Sequence, residues 1–163
     1  MQPRILVAGI GNIFLGDDGF GSEVIRALGQ AVDAEPDVRV TDYGIRGMHL
    51  AYDLLDTWAA LVLVDALPDR GSPGTVHMFV ADHESVGATA ALDAHGMDPG
   101  TVFASLRALG GAAPPTVVVG CEVADTADGI GLSEPVRAAV PAAVDAVRTA
   151  VATVREKLAA QEV

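Results

Sequence analysis

The loop Gly9-Ile10-Gly11-Asn12-Ile13-Phe14-Leu15-Gly16-Asp17-Asp18-Gly19-Phe20-Gly21 sets two adjacent carboxylates among glycines, directly after an apolar run. Its opening, Gly9-Ile10-Gly11, invites comparison with a dinucleotide-binding fingerprint, but the spacing rejects it. The third glycine falls at 16 rather than 14, where Phe14 stands, and Asp17-Asp18 would repel a pyrophosphate. The loop suits a cation or acid–base chemistry instead. Asp18 also reads as a cap or turn residue, the common role of Asp ahead of a helix. Asp65 is a different case. It ends the apolar run Leu61-Val62-Leu63-Val64, where a partly desolvated carboxylate calls for a partner or a function, with capping of a neighbouring loop as the rival reading. His95 alone reads as a surface loop histidine. Asp18, Asp65 and His95 together, if they converge, form a facial set of two carboxylates and one imidazole. Such a set suits nickel, zinc or iron and leaves positions open for a substrate.

Other polar residues are weaker candidates. Asp82-His83-Glu84 resembles a metal cluster, but consecutive side chains diverge, so it reads as a solvated turn. His49 and His77 read as structural. Cys121, at the end of an apolar run, reads as a small packed hydrophobe. Arg46, within Gly44-Ile45-Arg46-Gly47, is a candidate for docking a carboxylate or a peptide carbonyl. No Gly-x-Ser-x-Gly elbow, His-Glu-x-x-His helix or phosphate loop is present.

The elements that must position these residues follow from apolar spacing. Ile5 to Ala8 predicts a buried strand. A helix is expected with Ser22 as N-cap and Glu23 in its first turn, carrying Val24, Ile25, Leu28 and Val32 on one face. Strands are expected at Val38 to Tyr43, Leu61 to Val64 and Thr116 to Cys121, with a helix from about Met48 to Thr57. Residues 66–74 are too few for a helical crossover, so Thr75 to Val80 is expected to run antiparallel. Asp98 as N-cap and Pro99 at the first helical position announce a helix carrying Val102, Phe103, Leu106 and Leu109, stopped by Gly110-Gly111. Val136 to Leu158 gives a last helix, which Pro141 is expected to kink or restart. The alternation predicts a single α/β domain over residues 1–163. Its architecture is three-layered: a five-stranded, mostly parallel sheet with one antiparallel strand and helices on both faces, in the phosphorylase/hydrolase-like manner.

Composition narrows the partners. The 163 residues carry a formal net charge of −12, which argues against nucleic-acid and membrane-surface work. Half the residues are hydrophobic and 4% aromatic, so the core must be aliphatic. One cysteine excludes an internal disulfide and a cysteine-based zinc site. The short N-terminal apolar run is too brief for a signal core or a membrane span, so a cytoplasmic, monomeric protein is expected.

The chain resembles the hydrogenase maturation proteases. The resemblance begins with the first strand, Gly9-Ile10-Gly11-Asn12 and Asp17-Asp18-Gly19-Phe20-Gly21. It continues through Asp42-Tyr43-Gly44-Ile45-Arg46-Gly47, Asp65-Ala66, the segment around His95, and Val117 through Gly131-Leu132-Ser133. It implies an endopeptidase that removes the C-terminal extension of a nickel-iron hydrogenase large-subunit precursor after nickel insertion. Asp18, Asp65 and His95 are then the metal-binding positions, with Asp18, often Glu in the family, one methylene shorter. Asp18 and Asp65 are also the catalytic positions, and Gly44, Arg46 and Gly47 contact the substrate. The nickel arrives with the precursor, although another divalent metal is expected to occupy the site in vitro. Two rival readings are a stand-alone metal-dependent amidase and a non-catalytic nickel-delivery or assembly chaperone.

Overall fold

A computed structural model describes residues 4–29, 35–81 and 99–161. Five strands, β1 (Ile5–Ile10), β2 (Val38–Gly44), β3 (Ala60–Leu67), β4 (Val76–Val80) and β5 (Thr116–Glu122), form one sheet in the order β2-β1-β3-β5-β4. All neighbours are parallel except β4, which pairs antiparallel with β5 at the edge, as the short 66–74 connection requires. Four α-helices lie among the described residues: α1 (Phe20–Leu28), α2 (Gly47–Asp53), α3 (Pro99–Ala108) and α4 (Glu134–Gln161). This is the three-layer α/β architecture expected from the sequence.

Alternation along the strands divides the core in two. Ile5, Val7, Val62, Val64, Val119 and Cys121 face α1 and α4. Leu6, Ala8, Ile10, Leu61 and Leu63 face α2 and α3, where Leu50, Ala51, Val102, Phe103 and Leu106 pack. β1 is covered on both faces and is accordingly buried along its whole length.

Two elements differ from expectation. Ser22 does not cap α1. The helix starts at Phe20 after a 3-10 turn, Gly16–Gly19, so Ser22 lies inside it, buried. A side chain at Gly21 would meet Ile10 O at 2.4 Å and Val64 O at 2.6 Å, so glycine is what lets α1 start this close to the sheet. The second helix, α2, stops at Asp53 rather than Thr57. Leu55 N–H and Asp56 N–H turn back to Tyr52 O and Asp53 O, and the Trp58 indole donates to Asp53 O at 2.8 Å. The last helix runs on through Pro141 without restarting there, which leaves the kink as the form of the expectation that applies. Proline deprives the Arg137 carbonyl of its donor, but both residues are exposed, where water can replace it. The expected cap Asp98 and the apolar Val32 lie outside the described residues.

The connections matter most for the site. The chain passes from β1 through α1 to β2 along one face, then from β2 through α2 to β3 along the other. The strand order turns around between the neighbours β1 and β3, and in an open α/β sheet the crevice lies at such a switch point, beyond the carboxyl ends of the strands.

Candidate functional site

The acidic pair splits into two roles. Asp17 is fully buried and turned inward. Its Oδ2 accepts from Ala124 N, Asp125 N and Ser133 Oγ at 2.9, 2.9 and 2.8 Å, and its Oδ1 accepts from Ser133 N at 2.7 Å. Burial pushes this carboxyl up, but the donors from Ser133, Asp125 and Ala124 together outweigh it and hold it below the usual carboxylate range. Backbone bonds from Gly16 N to Gly129 O and Asp17 N to Asp125 O complete the seam. Asp17 thus ties the loop after β1 to the loop after β5.

Asp18 turns the other way and is only partly buried. Its Oδ2 accepts from Asn12 N at 2.8 Å, and no partner is recorded for Oδ1 among the described residues. The loop can close so tightly because of Gly11. At φ +135°, an added side-chain carbon would stand 2.0 Å from Asp18 O.

Asp65 lies on the face of the sheet that carries α2 and α3, at 6% exposure, and its Oδ1 accepts from Ala66 N at 2.8 Å. Gly9 aligns with Val64, so Asp65 falls one row further along, on the strand beside the Asp18 loop. The 3-10 turn holding Asp18 packs against β3. Asp18 and Asp65 therefore both lie near the carboxyl ends of the neighbouring strands β1 and β3, at the switch point. His95 lies outside the described residues, as does the Asp82-His83-Glu84 segment. Among the described residues, no three His, Cys, Asp or Glu side chains form a metal-binding group.

Beside the crevice is a cavity of about 390 Å³ lined by Gly11, Asn12, Phe14, Asp42, Gly44 and Arg46, among others. Of the residues expected to contact substrate, Gly44 and Arg46 line it and Gly47 does not. Arg46 lies back over β2, its Nη2 donating to Asp42 O at 2.9 Å and its Nε to Tyr43 O at 3.3 Å, which fixes the guanidinium at the rim. Gly44, at φ +55°, turns the chain out of β2, and Gly47 is buried at the start of α2. Sequence reasoning missed Asp42. Its Oδ1 takes Ser22 Oγ at 2.7 Å and Gly44 N at 3.0 Å, the bond that accounts for Ser22 inside α1. Phe14, Ile45, Met48 and Ile130 stand exposed at this end of the molecule, at 61%, 62%, 49% and 77%. Cys121 is buried against the opposite layer, where burial and then the Asp17 charge push its thiol up to about 11, and it packs as a small hydrophobe.

Comparison with known proteins supplies what geometry alone does not. A family model described as hydrogenase maturation protease matches residues 22–150. The hydrogenase expression/formation protein HupD of Rhizobium leguminosarum is 33% identical over 88% of this chain and 71% of its own length. The hydrogenase 2 maturation protease of Escherichia coli is 31% identical over 90% of both. The solved structure of the hydrogenase maturating endopeptidase HybD from E. coli superposes with a TM-score of 0.73 at 28% identity, covering 92% of this chain and 93% of that one. With the sheet order and the split acidic pair, these likenesses establish that the chain belongs to the hydrogenase maturation protease family, enzymes that hydrolyse peptide bonds.

Proposed function

We propose that the protein is the endopeptidase that removes the C-terminal extension of a nickel-iron hydrogenase large-subunit precursor once nickel is in place. Asp18, Asp65 and His95 would contact that nickel. The observation that supports this reading is that the turn carrying Asp18 packs against β3, the strand that carries Asp65 near its carboxyl end. The donor set fits the role. Each carboxylate is steadied by one backbone N–H, at Asn12 and Ala66, so neither needs to be bound to an ion to be held in place. Two carboxylates and an imidazole also leave a first-row ion unsaturated, so they complete a partner's site better than they hold a free ion. Hydrolysis further needs an activated water and a stabilised oxyanion, which the ion and a carboxylate can share between them. The cavity lined by Gly44 and Arg46 is the docking place for the adjoining peptide, whose carbonyls the Arg46 guanidinium can meet.

The test is cleavage of nickel-loaded precursor. Asp18→Asn, Asp65→Asn and His95→Ala should each lower the rate by about 100-fold or more, the scale of losing one electrostatic or acid–base participant. His83→Ala is the control and should cut normally. A silent His95→Ala beside an inactive His83→Ala would move the active face to the Asp82-His83-Glu84 segment. Purified alone, the protein should lose nickel or zinc to a chelator; an ion retained through dialysis would favour a stand-alone metallopeptidase.

A further inference from the structure

A second cavity, of about 300 Å³, opens on the same face as Asp65 but over the other edge of the sheet, lined by Leu67, Pro68, Arg70, His77, Phe79 and Glu122. Glu122 is 5% exposed and is well supplied with partners. Arg70 N and Ser72 N donate to Oε1 at 2.8 and 3.3 Å, and His77 Nε2 lies 2.8 Å from Oε2. The His77 contact first, then the loop N–H groups, hold its carboxyl below the usual range, so it is an anion already satisfied. The Arg70 guanidinium has no ion pair or side-chain hydrogen bond among the described residues, although the chain carries a net charge of −12. His77 is half exposed, and with Nε2 committed to Glu122 its Nδ1 remains without a recorded partner. The remaining walls, Leu67, Pro68 and Phe79, are apolar.

We infer that this cavity is a carboxylate-binding subsite, in which the Arg70 guanidinium grips an anionic group beside the His77 imidazole while Leu67, Pro68 and Phe79 pack its carbon stem. An arginine fork matches a carboxylate in two-point geometry, and an apolar, partly enclosed setting strengthens such a contact. Glu122 serves as the positioning residue: it fixes the imidazole and draws the 70–72 loop onto the cavity. Register sets the distance from the crevice. His77 aligns with Gly120, and Gly120 with Asp65, so His77 stands two strands away, about 10 Å. Leu67 lies two residues past Asp65 and is folded over Gly120, where an added side-chain carbon would meet Leu67 Cγ at 2.5 Å; it forms the wall between cavity and crevice. An extended peptide spans about 10 Å in three residues. A peptide lying at Asp65 would therefore place in this cavity a carboxylate about three residues from the bond being cut. That carboxylate is either an acidic side chain or a chain terminus. The peptide source rests on the proposed function, whereas the carboxylate chemistry does not.

The direct test uses the isolated protein, without precursor or nickel. N-acetyl-leucine, with one carboxylate on an apolar stem, should bind and shift the His77 imidazole resonances, and N-acetyl-leucinamide should bind at least about tenfold more weakly. Arg70→Gln should lose about tenfold or more in affinity for the acid and nothing for the amide. Equal binding of acid and amide, or an Arg70→Gln protein that binds the acid like the parent, overturns the subsite. Peptides with a glutamate side chain and blocked ends, against peptides with a free terminus and no acidic side chain, then separate the two sources. Failure of precursor cleavage with intact acid binding would overturn only the proposed function.

Discussion

At the scale of single residues, the neighbours Asp17 and Asp18 carry the same side chain but differ in burial and in partners. Asp17→Asn keeps the volume but turns an amide NH2 toward one of the N–H groups of Ala124, Asp125 or Ser133. Replacing one end of a buried, charge-assisted network in this way should cost about 2–4 kcal/mol in urea unfolding. Asp18→Asn, on a partly exposed group with one hydrogen bond, should cost under about 1 kcal/mol while removing cleavage. The pH dependence of the first effect has a definite sign. Because the folded-state carboxyl of Asp17 is depressed, its stabilising contribution is full above the ordinary carboxylate range. It is lost as the pH falls below about 4 toward the lowered folded value, so the gap between parent and Asp17→Asn should close in acid. The sequence marked the acidic pair as chemical but could not divide it. The deciding donors lie more than a hundred residues downstream, and only the seam between two loops brings them to Asp17.

At the scale of elements, the site depends on how closely α1 can approach β1 and β3. Gly21→Ala puts a carbon against Ile10 O and Val64 O, both backbone atoms that cannot swing aside. The helix must then retreat, at a cost of about 1–3 kcal/mol or more, and it carries the Asp18 turn with it. The expected outcome is a lowered melting temperature together with a fall in cleavage larger than the fraction unfolded explains. A variant destabilised but fully active when folded would show that the turn tolerates the shift. The main elements and the antiparallel edge were legible because apolar runs, Gly-Pro punctuation and a short connection each speak locally. The start of α1 was not, since Ser22 followed by Glu23 carries a strong capping signal. What overrides it is tertiary: the glycines at 19 and 21 admit an earlier start, and Ser22 is used by Asp42 on β2. His77 and Glu122 were passed over for the same reason. They sit 45 residues apart, and only the β4–β5 pairing makes them partners.

At the scale of the whole molecule, the switch in strand order gathers chemistry and an apolar surface at one end. Phe14 follows β1, Ile45 follows β2, Met48 opens α2, and Ile130 follows β5 in the loop joined to Leu15 by a bridge at Gly129. A net charge of −12 keeps the rest of the surface soluble and self-repelling, so an exposed aliphatic and aromatic group at the active end marks a place for a partner. If the partner is a large folded precursor, these residues bind it without touching the reacting bond. Phe14→Ser and Ile45→Ser remove about half-exposed side chains and should change stability by no more than about 0.5 kcal/mol. Each should raise KM for the precursor several-fold and the pair about tenfold or more, with kcat retained, since the contact is the same in ground state and transition state. A short peptide spanning only the cleaved bond should show no difference between parent and double variant. If kcat falls instead, with KM unchanged, Phe14 and Ile45 act on the geometry of Asp18 through the Gly11–Phe14 loop, and the apolar surface is not where the precursor docks.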